Sequence, residues 1–344
     1  MMNVGIIGCG SIARVRHAPE YASNKDVTIR GFFDPVAERA LEMTAQYGGK
    51  AYASYEEMLA DEAVDAVSIC TANRWHAPIA LAALRAGKHV LCEKPMASSA
   101  AEAEEMIAAA KQAGRFLMIG HNQRLAGMHI KAKKILAGGE LGRILHFSTT
   151  FSHRGPEAWS ADKSNRTWFF SRKDASMGAM GDLGIHKADL IRWLIGDEIT
   201  EVTALVTTLD KKTPEGERIE VDDHAVCILQ SRTGIVGTLT ASWTNYGEEN
   251  NSTVLYCSEG VMKINGNPRY PLEITMKNGE RIHYEMEGIQ TNDSQTRSGI
   301  IDLFVESVVR NTPPEISGEE GLAALRIIAA CMESSATGQK VRIK

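Results

Sequence analysis

Three short segments of this chain carry side chains able to do chemistry. In Gly181-Asp182-Leu183-Gly184-Ile185-His186 an aspartate and a histidine stand four residues apart. On a helix they share a face, and a carboxylate one turn from an imidazole can orient it, set its tautomer and raise its pKa. Such a histidine can take the proton from a carbinol or return it. The same pair also suits a solvated ion pair, or a capping aspartate beside a core histidine. Gly178, Gly181 and Gly184 are poor helix residues, so something is expected to pack closely against this segment. The second segment is Cys92-Glu93-Lys94-Pro95, directly after an apolar strand, His89–Cys92. Ligands of open α/β sheets gather at the carboxyl ends of strands, and Pro95 holds the preceding backbone extended, which aims Lys94 at a cleft. A lysine there can stabilise a developing alkoxide. A surface lysine at a strand end is the plainer reading of the tripeptide alone.

The third segment, Gly8-Cys9-Gly10-Ser11-Ile12-Ala13, follows the first strand and opens a helix. Its spacing fits a dinucleotide loop: Gly8 for the tight turn, Gly10 for close approach of the backbone to a pyrophosphate, Ala13 for helix–strand packing. Amides at the helix start, including those of Ser11 and Ile12, would face the phosphates. A second strand ends on Asp34, placed to accept from the adenosine ribose hydroxyls and to repel a 2′-phosphate. This favours NAD over NADP, with Arg39 expected to face solvent.

The elements that must position these segments divide the chain in two. Up to about residue 124, short β-branched strands (Val4–Ile7, Thr28–Phe33, Ala66–Cys70, His89–Cys92, Phe116–Ile119) alternate with helical patterns, as in a parallel sheet with crossover helices. Ser54-Tyr55-Glu56-Glu57 and Ser99-Ala100-Ala101-Glu102 read as capping boxes. After a helix over 128–137, strand alternation dominates: 143–151, 199–209, 223–230, 234–243, 253–257 and 272–286, with Asn278-Gly279 as a turn. An amphipathic helix over about 181–195 interrupts the series, and helices over 299–310 and 319–337 end it. The expected fold is α/β: a Rossmann dinucleotide-binding domain (1–124) followed by an α+β domain (125–344) on an open, mainly antiparallel sheet. The second domain is expected to bind substrate and to oligomerise.

A net charge of −5 and short basic clusters (Lys131, Lys133 and Lys134; Lys211 and Lys212) argue against a nucleic-acid or anionic-membrane partner. The six cysteines lie in apolar runs without metal-ligand spacing, the pattern of reduced, buried thiols in the cytoplasm. Asp182 and His186 lack a nearby third ligand, so no metal is expected. No apolar run approaches the ~20 residues of a membrane span, and Met1-Met2-Asn3 leads straight into the first strand, so no signal peptide is expected.

Taken in order, these motifs resemble the Gfo/Idh/MocA family, the glucose-fructose oxidoreductase and inositol dehydrogenase group. The resemblance also takes in Thr71-Ala72-Asn73-Arg74-Trp75-His76, the run from Ala82 to Val90, Gly120-His121-Asn122-Gln123-Arg124 and Ser258-Glu259-Gly260, and so spans nearly the whole chain. It implies that Lys94, Asp182 and His186 are catalytic. It implies that Thr71, Asn73, His76, Glu93 and Lys94 touch the cofactor, and that Asn122 and Arg124 lie near the nicotinamide or substrate. Trp168 matches a family tryptophan, whereas Phe169 replaces an arginine and Ser176-Met177-Gly178 a glycine run. His153, Arg166 and Trp168 are candidates for the substrate pocket, and each also suits packing. The implied activity is reversible hydride transfer between NAD and a secondary hydroxyl of a sugar, cyclitol or derivative. His186 would be the base or acid, Lys94 would steady the oxygen, and Asp182 would orient and tune His186. Three other readings stand beside it: an NAD-retaining glycoside-processing enzyme using transient substrate oxidation, a catalytically silent dinucleotide sensor, and a biliverdin or dihydrodipicolinate type reductase. An open sheet with an apolar face predicts a homodimer or homotetramer.

Overall fold

Strands buried on both faces need no polar alternation, and the short β-branched runs of the first 119 residues build such a sheet, exposed only at positions such as Thr28 and Arg30. The computed structural model describes residues 1–161, 163–287 and 297–343. In it β1 (Met2–Ile7), β2 (Val27–Phe33), β3 (Lys50–Ala51), β4 (Ala66–Ile69), β5 (His89–Cys92) and β6 (Leu117–Ile119) pair in parallel, in the order β3-β2-β1-β4-β5-β6. The order reverses beside β1, which opens a crevice at the carboxyl ends of β1 and β4. Helices α1 (Ala18–Ser23), α2 (Ala37–Tyr47), α3 (Tyr55–Ala60), α4 (His76–Arg85) and α5 (Ala100–Ala113) connect the strands. Ser54 and Ser99 cap α3 and α5 by accepting from the Glu57 and Glu102 amides, and each glutamate reaches back to the amide just before its serine.

Beyond α6 (Gly127–Gly138) the chain forms a second sheet with one solvated face, hence strict alternation of burial along β9 (His224–Ser231). Its other strands are β7 (Ile144–Ser152), β8 (Ile199–Thr207), β10 (Val236–Ser242), β11 (Thr253–Cys257), β12 (Gly260–Ile264), β13 (Leu272–Met276), β14 (Arg281–Tyr284) and β15 (Val341–Arg342). The order is β14-β13-β12-β11-β7-β10-β9-β8-β15, antiparallel except for β7 with β10. Two differences from expectation are local. The single strand read over 272–286 is a hairpin, β13–β14, turning at Asn278-Gly279, and β12 and β15 were not foreseen because their apolar runs are short.

After α7 (Arg172–Ala175), the segment expected as one amphipathic helix is a π-helical turn, Met180–Gly184, running into α8 (Ile185–Ile195). It is buried almost all round, Lys187, Asp189 and Arg192 included. The glycines do allow close approach: a Cβ on Gly178 would lie 1.8 Å from the Asp222 carbonyl oxygen. Helix α10 (Gly318–Thr337) packs on α8 and β8, whereas α9 (Ile300–Val309) returns to the first sheet, its Ile300, Ile301 and Phe304 joining Val4, Ile6, Tyr21 and Phe32 in one core.

Candidate active site

The crevice at the β1–β4 strand ends continues across to the second sheet as one cleft of about 1190 Å³, its open mouth included. At one end lies the glycine loop. Gly8 has φ +94°, and a Cβ there would come within 2.6 Å of the Cys70 carbonyl oxygen. A Cβ on Gly10 would project into open space, and Ser11 and Ile12 line the cleft beside it, with Ala13 fully buried behind. Asp34 is buried behind the lining. Its carboxylate accepts from the Cys9 amide at 2.7 Å and the Val36 amide at 2.9 Å, tying the end of β2 to the loop. Arg39, expected in solvent, is half-buried and lines the cleft, because the first turn of α2 runs along the end of β2.

In the middle, Thr71, Asn73, His76, Glu93, Lys94 and Asn122 all line the cleft, so the structure gathers these sequence-derived candidates. Several also hold the scaffold. Asn73 donates across to the Ala175 carbonyl at 2.8 Å, and the His76 ring sits between the Pro95 and Thr71 carbonyl oxygens. Glu93 turns one oxygen to His17 (2.8 Å) and Arg16 (3.2 Å). Burial alone would raise its carboxyl, but the His17 hydrogen bond and the Arg16, His17 and Lys94 charges bring it down to about 2. The buried Thr71 Oγ1, Asn122 Oδ1 and Gln123 Oε1 have no hydrogen-bond partner among the described residues. Polar atoms left so in a cleft fit a ligand rich in donors. Together with the space above Gly10, they fit a dinucleotide laid from the glycine loop to Lys94. The peptide bond between Lys94 and Pro95 is cis, which the sequence did not indicate.

At the far end the two domains meet through Lys94, whose Nζ donates to Asp182 Oδ1 at 2.9 Å and to its carbonyl oxygen at 2.8 Å. Asp182 Oδ2 accepts from the Trp243 indole at 3.1 Å. This corrects the expected Asp182–His186 couple. The π-helical turn displaces the i,i+4 alignment, and the aspartate serves Lys94 and Trp243 while His186 Nδ1 has no partner among the described residues. The expected rise in the histidine pKa is reversed as well. Burial holds His186 well below the usual range, and Lys94, His121, Arg16 and Lys187 push the same way. The imidazole is therefore neutral at physiological pH.

Of the substrate candidates, His153 and Trp168 line the cleft. Arg166 does not: its side chain is 76% exposed, 3.6 Å from Glu215. Arg124 does not either. It is buried in a two-pronged ion pair with Asp189 on α8 and reaches Glu320 on α10 at 2.6 Å, a tie between elements rather than a cleft residue. Sequence reasoning missed the aromatic wall of the cleft, made by Phe151, Trp159 and Phe169 beside Trp168, with Trp243 behind. Trp168 stacks on Phe169 at 3.8 Å, and Trp159 meets Phe169 edge-on at 5.0 Å. Scattered aromatics carry no spacing signal, so only the Trp168 match pointed here.

Residues 2–121 match the model of the GFO_IDH_MocA oxidoreductase family, described as an NAD-binding Rossmann fold, and residues 129–263 match a GFO/IDH/MocA C-terminal domain. The chain is 30% identical over 306 residues to a levoglucosan dehydrogenase of Pseudarthrobacter phenanthrenivorans, covering 79% of this chain and 76% of that one. It is 28% identical over 350 residues to a myo-inositol 2-dehydrogenase of Thermotoga maritima, covering 100% and 99%. A solved structure of levoglucosan dehydrogenase in complex with NADH and levoglucosan superposes with a TM-score of 0.87 at 25% identity, covering 99% of each chain.

Proposed function

This chain belongs to the Gfo/Idh/MocA family of oxidoreductases, and from that premise we propose that it oxidises a secondary hydroxyl of a neutral sugar or cyclitol, and reduces the matching ketone, with NAD. The observation that carries this is the Lys94–Asp182 contact across the two domains, beside a neutral His186 and in one cleft with the glycine loop. When bound, NAD supplies a nicotinamide carbon that accepts or donates a hydride.

An ammonium has three N–H donors. Two of those on Lys94 go to Asp182, and the third is directed at the substrate oxygen, where it stabilises the alkoxide character that develops as the hydride leaves. His186 takes the hydroxyl proton during oxidation and returns it during reduction; its neutral ring is the form that accepts. Asp182 holds Lys94 in place and keeps the Lys94–Asp182 pair neutral overall. Thr71, Asn73, His76, Glu93, Asn122 and the loop from Gly8 to Ala13 hold the cofactor, with Asp34 behind them favouring NAD. The wall of Phe151, Trp159, Trp168 and Phe169 offers flat apolar faces to a sugar ring. Of the cations lining the cleft, Arg16 pairs with Glu93, Lys94 with Asp182, and Arg39 stands at the end of β2. Among the described residues no other lysine or arginine lines the cleft, Lys187 lying buried on the Phe151 ring outside that lining, so a phosphate or carboxylate on the substrate would find no further counter-charge there.

The test is NADH formation by the purified protein with neutral cyclitols, aldoses and anhydrosugars, beside sugar phosphates and uronates. Turnover is expected with the neutral group. His186→Ala should lower kcat by ~10²–10⁴-fold with NADH affinity unchanged, and an unaltered kcat would refute the assignment. Product formed without net NADH would identify the NAD-retaining alternative.

The domains are assigned as 1–124 and 125–344, with α9 docked on the first. The exposed face of the second sheet carries Leu205, Val226, Ile228 and Val236, which supports pairing with a second copy. Six free, buried cysteines support a reducing compartment, the cytoplasm. No helix among the described residues is long and apolar enough to cross a membrane.

A further inference from the structure

Next to His186, helix α8 carries a lysine whose side chain is fully buried. Lys187 Nζ donates to the Asn251 carbonyl at 3.1 Å, its only hydrogen-bond acceptor among the described residues, and it forms no ion pair there. Burial outweighs the pull of the Glu249 carboxylate on this amine, an ammonium withdrawn from water being costly, and a methionine would fill the same volume at no such cost. The amine is therefore an outlier that packing alone does not explain.

Its surroundings suggest why it is there. Nζ lies 5.8 Å from the centroid of the Phe151 ring, within the range of a cation–π contact. Phe151, near the end of β7, lines the cleft and sets its ring 5.9 Å from that of His186 and 5.7 Å, edge-on, from that of His153. One ring thus touches the buried amine and both cleft histidines. No described residue bonds His186 Nδ1, and Asp182 serves Lys94 instead. The Phe151 ring, tilted 52° to the imidazole, is therefore a neighbour placed to hold it.

We propose that Lys187 is a positioning residue for His186: anchored on the Asn251 carbonyl, its amine fixes the Phe151 ring as the wall on which the imidazole rests, and its charge, when protonated, opposes protonation of that imidazole. The proposal rests on the reading of His186 as the group that exchanges the substrate proton. The groups that bear on His186 are Lys94 after β5, His121 after β6, Arg16 before α1 and Lys187 itself, and His153 after β7 reaches it only through the shared Phe151 ring. Those that bear on Lys187 are Glu249 and His129. Removing Lys187 subtracts one cation from the first set and leaves the others in place.

Two variants test this, Lys187→Met and Phe151→Leu, each measured for kcat, KM, NADH affinity and pH–rate profile. Lys187→Met should lower kcat roughly tenfold, inside the ~10²-fold that a 1 Å misplacement can cost. NADH affinity should stay within about twofold, and the acid limb of kcat/KM should move to higher pH. Phe151→Leu should reproduce the loss in kcat and leave the acid limb where it is in the wild type. Nitrogen NMR of the His186 ring gives a readout independent of turnover, and its titration should move to higher pH in Lys187→Met. A pH–rate profile and ring titration superimposable on wild type would overturn the proposal, as would a fall in kcat that merely tracks the folded fraction. If the wild-type protein oxidises no carbinol, the functional reading fails on its own account, and the ring titration still decides the link between Lys187 and His186.

Discussion

Replacing Lys187 by methionine should also remove a pH dependence from folding stability. Burial brings the Lys187 amine down to about 7, against a partial opposing pull from Glu249, whereas a lysine in the unfolded chain titrates near ~10.4. Because the folded value lies below the unfolded one, the sign follows directly. Below pH ~7 both states carry the proton, and the native state bears the full cost of the buried charge. Between pH ~7 and ~10.4 the unfolded chain holds a proton that the native state lacks, so stability rises by about 1.4 kcal/mol per pH unit. Over the whole window this amounts to on the order of 5 kcal/mol, an upper figure because water entry and relaxation soften burial. Urea unfolding of wild type and Lys187→Met at about pH 6.5, 8 and 9.5 isolates the effect, since subtraction cancels the titrations common to both. The variant should be favoured at the lowest pH, with wild type gaining on it by several kcal/mol at the highest. A difference constant to within about 0.5 kcal/mol across the range would refute a depressed amine at this position.

Gly8→Ala forces a side chain into a left-handed backbone and against the Cys70 carbonyl. It should cost about 1–3 kcal/mol of stability and weaken NADH binding, as read by thermal unfolding and NADH fluorescence titration; unchanged NADH affinity would argue against this loop as the phosphate cradle. Arg124→Ala leaves Asp189 buried without its partner, for a loss of about 3–5 kcal/mol. The folded variant should keep its KM for substrate, and a raised KM would return Arg124 to the binding site.

The first domain was legible because its signals are local. A glycine turn, short apolar strands and serine caps each act over a few residues, and β1 to β6 fall within a residue or two of where those signals put them, with the two-residue β3 the one unforeseen. The cleft was legible as a set of residues: Gly8 through Ile12, Thr71, Asn73, Lys94, Asn122, Asp182 and His186 come together or stand directly behind the lining. The partnerships within that set were not legible. Asp182 and His186 are four apart in sequence, but a π-helical turn is invisible to periodicity, and it sends the carboxylate to Lys94, 88 residues away. Arg124 and Arg166 show the same limit from another side. An arginine reads alike whether it faces a ligand, a buried Asp189 or open solvent, because only its three-dimensional neighbours differ.

The ties between the domains bear on the chemistry itself. Lys94 on Asp182, Asn73 on the Ala175 carbonyl and Arg124 on Asp189 each join a strand end of the first sheet to an element of the second domain. All three cross near the cleft, and Ser11 Oγ of the glycine loop donates to the Trp159 carbonyl of the aromatic wall at 3.4 Å, so the placing of loop and wall is fixed by groups that belong to the cleft or adjoin it. Lys94 is the clearest case, for the amine that fastens the domains through Asp182 is the one that, on the proposed mechanism, would turn its third N–H to the substrate oxygen. On that mechanism, loosening the domain contact would disorder the oxygen-stabilising group directly, and proton transfer at His186 would be productive only while that contact is closed. A sugar hydroxyl between Lys94 and His186 would meet both groups at once, and that requirement selects a carbinol over any substrate lacking an oxygen at the reacting carbon.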